Sequence, residues 1–314
     1  MRYLTALLAA ALLAAHALFA AGPAEVRISY AKSPFNLPLI VGIRRGVIEQ
    51  AFAKAGAKVT FFEIDSGAKQ TEAMAAGSLD LAGVINTTSV ILAAAGGNEV
   101  RIVSGFSQPT GLFAIVAKDP AIRTPADLKG RRVAGPKGTA LHQLLAAALE
   151  RSRLSMQDVS FLQMDLPAAR TALLSGQVDA ALLAAAQVTQ AQAAGAHVVA
   201  TADGYIKPQL VVAARGGFLR DHPRLVDLYV ATHRELLQWI AAHREEALAI
   251  GAKEQGITLA EARALAEGSH FTADLGPAEV AALGADMDFM VRAGMLRAPV
   301  NVKDLLRPGL VRQP

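Results

Sequence analysis

TEAMAAGSLDLAG (71–83) and RTALLSGQVDAAL (170–182) repeat one order of residue types. A helical run ends in a glycine; one residue, an aliphatic side chain, an aspartate and an apolar run follow. Gly77 and Gly176 fall where a helix ends in a left-handed residue, a conformation that glycine adopts without a Cβ penalty. The echo predicts one helix–turn–strand unit used twice, and hence two lobes built to one plan. Asp80 and Asp179 then stand early in the following strands. Aspartate favours turns because its carboxylate bonds nearby backbone, so both are assigned to turn and strand-edge chemistry rather than to a ligand.

Outward from these stretches the same alternation continues. VRISY (26–30) predicts a strand, with a helix over 37–55 after it. KVTFFEI (58–64) precedes a helix through GAKQTEAMAA, SLDLAGV (78–84) precedes one over 87–95, and EVRIVSG (99–105) is a further strand. After Pro120 the order recurs. RRVAG (131–135) leads into a helix over 139–151, DVSFLQM (158–164) into 167–175, and QVDAALL (177–183) into 185–194, with AHVVA (196–200) closing the block. Strands spaced by helices of this length predict α/β architecture with parallel sheets covered on both faces.

Two extended segments, GLFAIVAK (111–118) and QLVVAAR (209–215), follow the breaks QPT and YIKP. They divide the chain into a first part of lobe I (25–108), lobe II (109–207), and a return to lobe I with C-terminal helices (208–314). From Phe218 onward the pattern is helical. In LVDLYVATHRELLQWIAAHREEALAIGA, Leu236, Trp239 and Ile240 share an apolar face. That assigns Trp239 to core and leaves His233 and His243 to the solvated side.

Residues 1–24 are set apart from this plan. Arg2, an apolar run from Leu4 to about Phe19, and small residues through Ala24 form the order of a cleaved secretory signal, with cleavage expected between Ala20 and Ala24. The run is short for a membrane span, which needs roughly 20 apolar residues. The chain of 314 residues has no cysteine. Its stability must come from a buried core, and the missing cysteine also excludes a lipid anchor at the new N-terminus. A soluble exported product retained by an outer membrane is the expectation, which places the chain in a periplasm.

The formal net charge is +4, of which only Arg2 leaves with the signal. KGRR (129–132) stands alone without interleaved aromatics, so nucleic acid is excluded as a partner. The seven histidines include no pair at i, i+3 or i+4, and zinc lacks its usual cysteine ligands. GFSQP (105–109) has proline where a nucleophile elbow has glycine. No metal, cofactor or enzyme activity is expected.

GPKGTALH (135–142) carries the remaining weight. It matches neither GxxxxGK[ST] nor GxGxxG. Its context is strand, glycine turn, helix, and exposed N–H groups at a helix start bind anions without a charged side chain. Thr139 can cap that helix or face a ligand, and His142 lies three residues on. The residues alone leave open whether this is a ligand cup or a capped helix with an exposed histidine. INTTS (85–89) repeats the construction with Asn86, Thr87 and Thr88, and AKSPFNLPL (31–39) sets Ser33 and Asn36 before another helix. Ligands of open α/β sheets bind at such strand ends.

YAKSPFNLPLI, FFEIDSGAKQTEAMAAGSLDLAGV, AIVAKDPAIRTPADLKGRRVAGPKGTALHQLL and LLSGQVDAAL together resemble the periplasmic substrate-binding proteins of nitrate, sulfonate and taurine ABC importers. The resemblance implies a two-lobed, type II periplasmic-binding fold whose helix-rich C-terminal extension packs on lobe I. It implies a monomeric solute-binding subunit that closes on a small organic anion, an aliphatic sulfonate or taurine-like molecule, and delivers it to a permease and ATPase in the inner membrane. It places Asn36 at the first helix mouth, Asn86, Thr87 and Thr88 as the lobe I cup, and Gly138, Thr139 and His142 in lobe II. Sulfonate binders often have W-D-P after V-D-A; here Ala184, Ala185 and Ala186 stand there, followed by Gln187. Ser33, Pro34 and Phe35 replace glycines in the first loop. A roomier, less polar wall follows, and with it an alternative ligand, a thiamine-precursor-like pyrimidine or other neutral metabolite. An exported enzyme and a sensor subunit are the remaining readings.

Overall fold

The computed structural model describes residues 24–33 and 35–310. The expected signal segment lies outside the described residues, save that Ala24 opens the first strand. In chain order the elements begin with β1 (Ala24–Tyr30), α1 (Leu37–Arg44), α2 (Val47–Lys54), β2 (Ala57–Glu63), α3 (Gly67–Ala75), β3 (Leu81–Asn86), α4 (Thr87–Ala95) and β4 (Val100–Ser107). There follow β5 (Phe113–Ala117), β6 (Arg132–Gly135), α5 (Ala140–Arg151), β7 (Ser160–Gln163), α6 (Leu166–Leu174), β8 (Ala180–Ala184), α7 (Ala186–Ala193) and β9 (His197–Thr201). After β10 (Leu210–Arg215) come the helices α8 (Gly216–Asp221), α9 (Pro223–Ala242), α10 (Arg244–Gln255), α11 (Leu259–Ser269), α12 (Pro277–Arg292) and α13 (Val302–Leu305). The helix expected over 37–55 is two helices, because Gly46 at φ 65° breaks it.

Two five-stranded sheets result, ordered β2-β1-β3-β10-β4 and β7-β6-β8-β5-β9. They are one plan used twice. In each, the first βα strand sits between the second and third, and a strand arriving from the other lobe takes the fourth place. The inner strands are buried along their length, as in β3, β5 and β8, whereas the edge strands β2 and β7 are half exposed. Buried inner strands read as unbroken apolar runs, LAGVI and AALLA, rather than as alternation.

The expectation of parallel sheets is corrected. β10 pairs antiparallel with β3 and β4, and β5 pairs antiparallel with β8 and β9. The reason is the route of the chain. β1, β2, β3, β6, β7 and β8 run toward the space between the lobes, while a strand that enters from the other lobe starts at that space and runs away from it.

The repeated aspartates do the same work in both sheets. Asp80 accepts from the Arg27 backbone N–H (3.1 Å), Nε (2.9 Å) and Nη2 (2.9 Å), and from Arg215 Nη2 (2.8 Å). Asp179 accepts from the Arg132 backbone N–H (2.8 Å), Nε (3.1 Å) and Nη2 (3.0 Å). Each ties its third strand to its first. Gly77 and Gly176 precede them at φ 70° and 75°.

The C-terminal helices enclose the first sheet. Val226, Tyr229 and Leu236 of α9 join the core shared with β1 and α1. Leu283, Met287 and Met290 of α12, with Leu305 of α13, cover the opposite face against Ile85, Ile91 and Ile102. Trp239 packs half-buried on this core with the Arg45 guanidinium 3.7 Å from its ring centroid. His233 is not solvated: it is 4% exposed and stacks on Phe106 of β4 at 5.2 Å. His243 is exposed as expected. No described helix is long and apolar enough to cross a membrane.

Candidate functional site

The C-terminal ends of β1, β2 and β3 face those of β6, β7 and β8 across a cavity of about 430 Å³. Parallel strands deliver their polar loops and following helix starts to one edge of the sheet, and this is where open α/β sheets hold ligands. Leu210 and Phe113, the first residues of the two crossover strands, add an apolar floor. A larger groove of about 710 Å³ lies beside the crossovers, between Gln108, Lys207 and Asp286, away from the strand ends.

Of the residues expected from sequence, Ser33, Asn36, Asn86 and Thr139 line the cavity. Asn86 caps α4 by accepting from the Ser89 N–H at 2.9 Å. Its Nδ2 has no protein acceptor among the described residues and remains a donor. Thr139 does not cap α5: its hydroxyl donates to the Pro136 carbonyl at 2.8 Å. The N–H groups that open α5 therefore carry no side-chain cap, and Ala140 and Leu141 line the cavity there. The start of α3 is likewise uncapped by Ser66, which lines the opposite wall with Gly67. Two helix N-termini thus direct partial positive charge at one space, neither of them capped by a side chain.

The other expected residues lie outside the lining, each for a visible reason. Thr87 is buried, its N–H given to the Gln209 carbonyl. The Thr88 hydroxyl donates to Gln143 Oε1 at 2.6 Å, and Gln143 Nε2 donates to Asp286 Oδ1 at 2.9 Å. Ser89 Oγ donates to the Gly138 carbonyl at 2.8 Å. The two helix starts that were expected to answer each other across a cleft instead touch, and these bonds join lobe I to lobe II. His142 supports the glycine turn from behind. Its Nδ1 accepts from the Gly138 N–H at 3.4 Å, its ring packs on Phe161 at 5.0 Å, and burial with the Lys137 charge pulls its pKa down to about 4. The shift favours the neutral ring, and with Nδ1 accepting from Gly138 its remaining proton sits on Nε2. Gln187, in the first turn of α7, lies outside the cavity with Oε1 buried and without a hydrogen-bond partner among the described residues.

Ala184 lines the cavity as the sequence led us to expect. Ala185 follows at φ 49°, ψ −123°, a backbone region that favours glycine, and its N–H donates to the Leu112 carbonyl at 2.8 Å. Such strain persists only where surrounding contacts over-determine it.

Several lining residues were not singled out from sequence: Asp65, Lys69 and Gln70 after β2, Gln163 at the end of β7, and Asp165 after it. The signal was present, since IDSG and QMDLP also follow strands and open helices. Gln70 is 1% exposed and fully used, accepting from Ser29 Oγ and donating to the Ile64 carbonyl. Asp165 caps α6 through the Ala168 N–H. Burial pushes the Asp65 carboxyl above the usual carboxylate range, against the lowering effect of backbone N–H groups from Lys32 and Ser33. Among the described residues no group of three or more His, Cys, Asp or Glu could hold a metal ion.

Known proteins share this architecture. A family model described as NMT1/THI5 like matches residues 38–247. A protein of Escherichia coli (strain K12), provisionally named an aliphatic sulfonates-binding protein, is 30% identical over 158 residues, 50% of this chain and 48% of its own length. The chain thus matches about half the length of that relative. A protein of Bacillus subtilis (strain 168) with the same provisional name is 28% identical over 229 residues, 71% of this chain and 67% of its own. The solved alkanesulfonate-binding protein SsuA of Xanthomonas axonopodis pv. citri, bound to MOPS, has a TM-score of 0.82 at 25% identity, covering 92% of this chain and 99% of that one.

Proposed function

The chain belongs to the NMT1/THI5-like family, and on that premise we propose that it is the solute-binding subunit of an ABC importer for a small organic anion, aliphatic sulfonates first. The observation that carries the reading is the pair of uncapped helix starts, α3 and α5, on opposite walls of one cavity. A sulfonate is an acceptor-only group, and such starts offer it N–H donors fixed before binding, with little to reorganise. The sulfonate-binding names of the relatives and the MOPS bound by the Xanthomonas protein point to the same chemistry. The chain acts as a monomer in a periplasm, and its ligand passes to a membrane permease driven by an ATPase. Its business is capture, not catalysis.

The apolar side of the cavity favours a second reading. Ala184, Phe113 and Leu210 offer a flat, uncharged ligand such as a thiamine-precursor-like pyrimidine more contact than a compact sulfonate needs. A thermal-shift series separates the two, because a ligand that binds only the native state raises the melting temperature by mass action. Ethanesulfonate, taurine, MOPS, nitrate and a hydroxymethylpyrimidine are the probes. Shifts confined to the sulfonates are expected; a shift with the pyrimidine alone overturns the sulfonate reading.

A further inference from the structure

Gln143 is gripped from two sides by the opposite lobe. It stands one turn into α5, in lobe II, and is 2% exposed. Its Oε1 accepts from the Thr88 hydroxyl of α4 at 2.6 Å, and its Nε2 donates to Asp286 Oδ1 of α12 at 2.9 Å. Thr88 and Asp286 both belong to lobe I. The carboxylate fixes the amide orientation, because the flipped amide would set two acceptors against each other. Beside this clamp, Ser89 Oγ donates to the Gly138 carbonyl at 2.8 Å, a second bond between the same two helix starts.

None of Thr88, Gln143 and Asp286 lines the ligand cavity, whereas Gln143 and Asp286 line the larger groove beside the crossovers. The clamp therefore needs no ligand to form: three side chains of the protein satisfy one another. Yet Gln143 lies one turn from Thr139, Ala140 and Leu141, which do line the cavity, and its N–H donates to the Thr139 carbonyl at 3.0 Å. A helix moves as a unit, so whatever holds Gln143 against lobe I also holds the uncapped start of α5 at the cavity.

The same contact carries its own opposing force. Among the described residues Asp286 belongs to no ion pair, although Lys207 and Arg292 line its groove. Closing the lobes sets this carboxylate against a neutral amide. Burial outweighs that bond and pushes the carboxyl up to about 6, so at neutral pH the ionised group resists the closure that Gln143 favours. A clamp opposed in this way can reopen.

Resting on the reading of the cavity as a ligand site, we infer that Gln143 is a positioning residue: its latch to Thr88 and Asp286 sets the fraction of ligand-free molecules with closed lobes, and so scales the affinity for every ligand of the cavity alike. A ligand that binds only the closed form has an apparent Kd equal to its intrinsic Kd divided by that fraction. Changing the latch multiplies all ligands by one factor. A residue that touched the ligand would instead discriminate among them.

Small-angle X-ray scattering on the ligand-free full chain should rank the radius of gyration of Gln143→Ala above the wild type and that of Asp286→Asn below it. In Asp286→Asn the new amide oxygen still accepts from Gln143 Nε2, while no charge is buried. Isothermal titration calorimetry with ethanesulfonate and with MOPS should show Gln143→Ala weakening both by about tenfold and Asp286→Asn tightening both by about threefold. Thr88→Val removes the donor and keeps the side-chain shape; it should act as Gln143→Ala does, and replaces it if that variant does not fold. A merely structural role would lower stability and leave the ligand-free shape unchanged. Equal radii in the three proteins, or a reversed ranking, overturn the latch, as do losses for the two sulfonates that differ by more than about threefold. If neither sulfonate binds any of the proteins, the sulfonate reading falls and the scattering alone decides the latch.

Discussion

Replacing each repeated aspartate by alanine compares a buried ion cluster with an exposed ion pair, because both sites hold the backbone N–H and guanidinium of the first strand's arginine. The Asp80 side chain is 2% exposed and holds two guanidinium groups, Arg27 at 31% and Arg215 at 29% exposure. The Asp179 side chain is 23% exposed and holds only Arg132, at 48%. Breaking a buried ion pair by removing one partner costs about 3–5 kcal/mol, whereas an exposed pair contributes about 0–1 kcal/mol. Water reaches both arginines of the Asp80 cluster, so Asp80→Ala should sit at the lower end, about 3 kcal/mol. Asp179→Ala should cost about 1 kcal/mol. Urea unfolding at pH 7 followed by far-UV circular dichroism measures both, with midpoint and slope fitted separately. Burial alone would raise the Asp80 carboxyl, but hydrogen bonds from Arg27 and Arg215 outweigh it and hold the group below its ordinary range. Its contribution is therefore full above the ordinary carboxylate pKa and is lost as pH falls through the lower folded value, so the Asp80→Ala penalty should shrink in acid. Equal penalties for the two variants at pH 7 would refute the burial argument.

Four further outcomes are expected. His142 and His233 are held down to about 4, chiefly by burial, so the fold should lose stability as pH falls from about 6.5 to about 4; thermal melts should show that loss, and His233→Phe, which can keep the stack on Phe106, should flatten part of it. Asp286 is pushed the other way, up to about 6 by burial despite the Gln143 bond. Its ionised form is penalised above that pH and relieved below it, so Asp286→Asn should stabilise the protein at pH 7.5 and do little at pH 4.5. A Cβ at Gly67 would lie 2.5 Å from Ser89 Oγ and 2.7 Å from Asn86 Nδ2; Gly67→Ala should cost about 1–3 kcal/mol in urea melts and weaken ligand affinity by disturbing the α4 cap. Ala185→Gly should relieve the φ 49° strain and raise stability by about 1 kcal/mol, measured the same way.

Much of the fold was legible because glycines and apolar runs are local signals. Gly77 and Gly176 marked the repeat, and LAGVI and AALLA marked inner strands. The direction of β5 and β10 was not legible, since GLFAIVAK and QLVVAAR have the same composition whichever way they run. His233 was misread for a related reason: helix periodicity describes one helix, and the partner that buries this ring is Phe106, far away in sequence. In the cavity, helix-start chemistry led to Ser33, Asn36, Asn86 and Thr139, and its application to IDSG and QMDLP would have added Asp65 and Asp165. It could not tell a hydroxyl facing a ligand from one facing the other lobe, and so it put Thr88 in the cup. His142 sits on the expected helix turn, but nothing in ALHQLL shows that Phe161 covers its ring.

The place of β10 also bears on how the molecule assembles. It lies between β3 and β4 in the first sheet, yet it is synthesised after every strand of the second. The second sheet is drawn from one continuous stretch, Phe113 to Thr201, and can form from contacts near in sequence. The first sheet has a gap until Leu210–Arg215 arrives, and its closure must bring together segments separated by that whole stretch. Contacts of long sequence separation are slow to form. The lobe begun first is therefore the lobe finished last: β1, β2 and β3 can pair with one another, but β4 and the open edge of β3 wait until the chain returns.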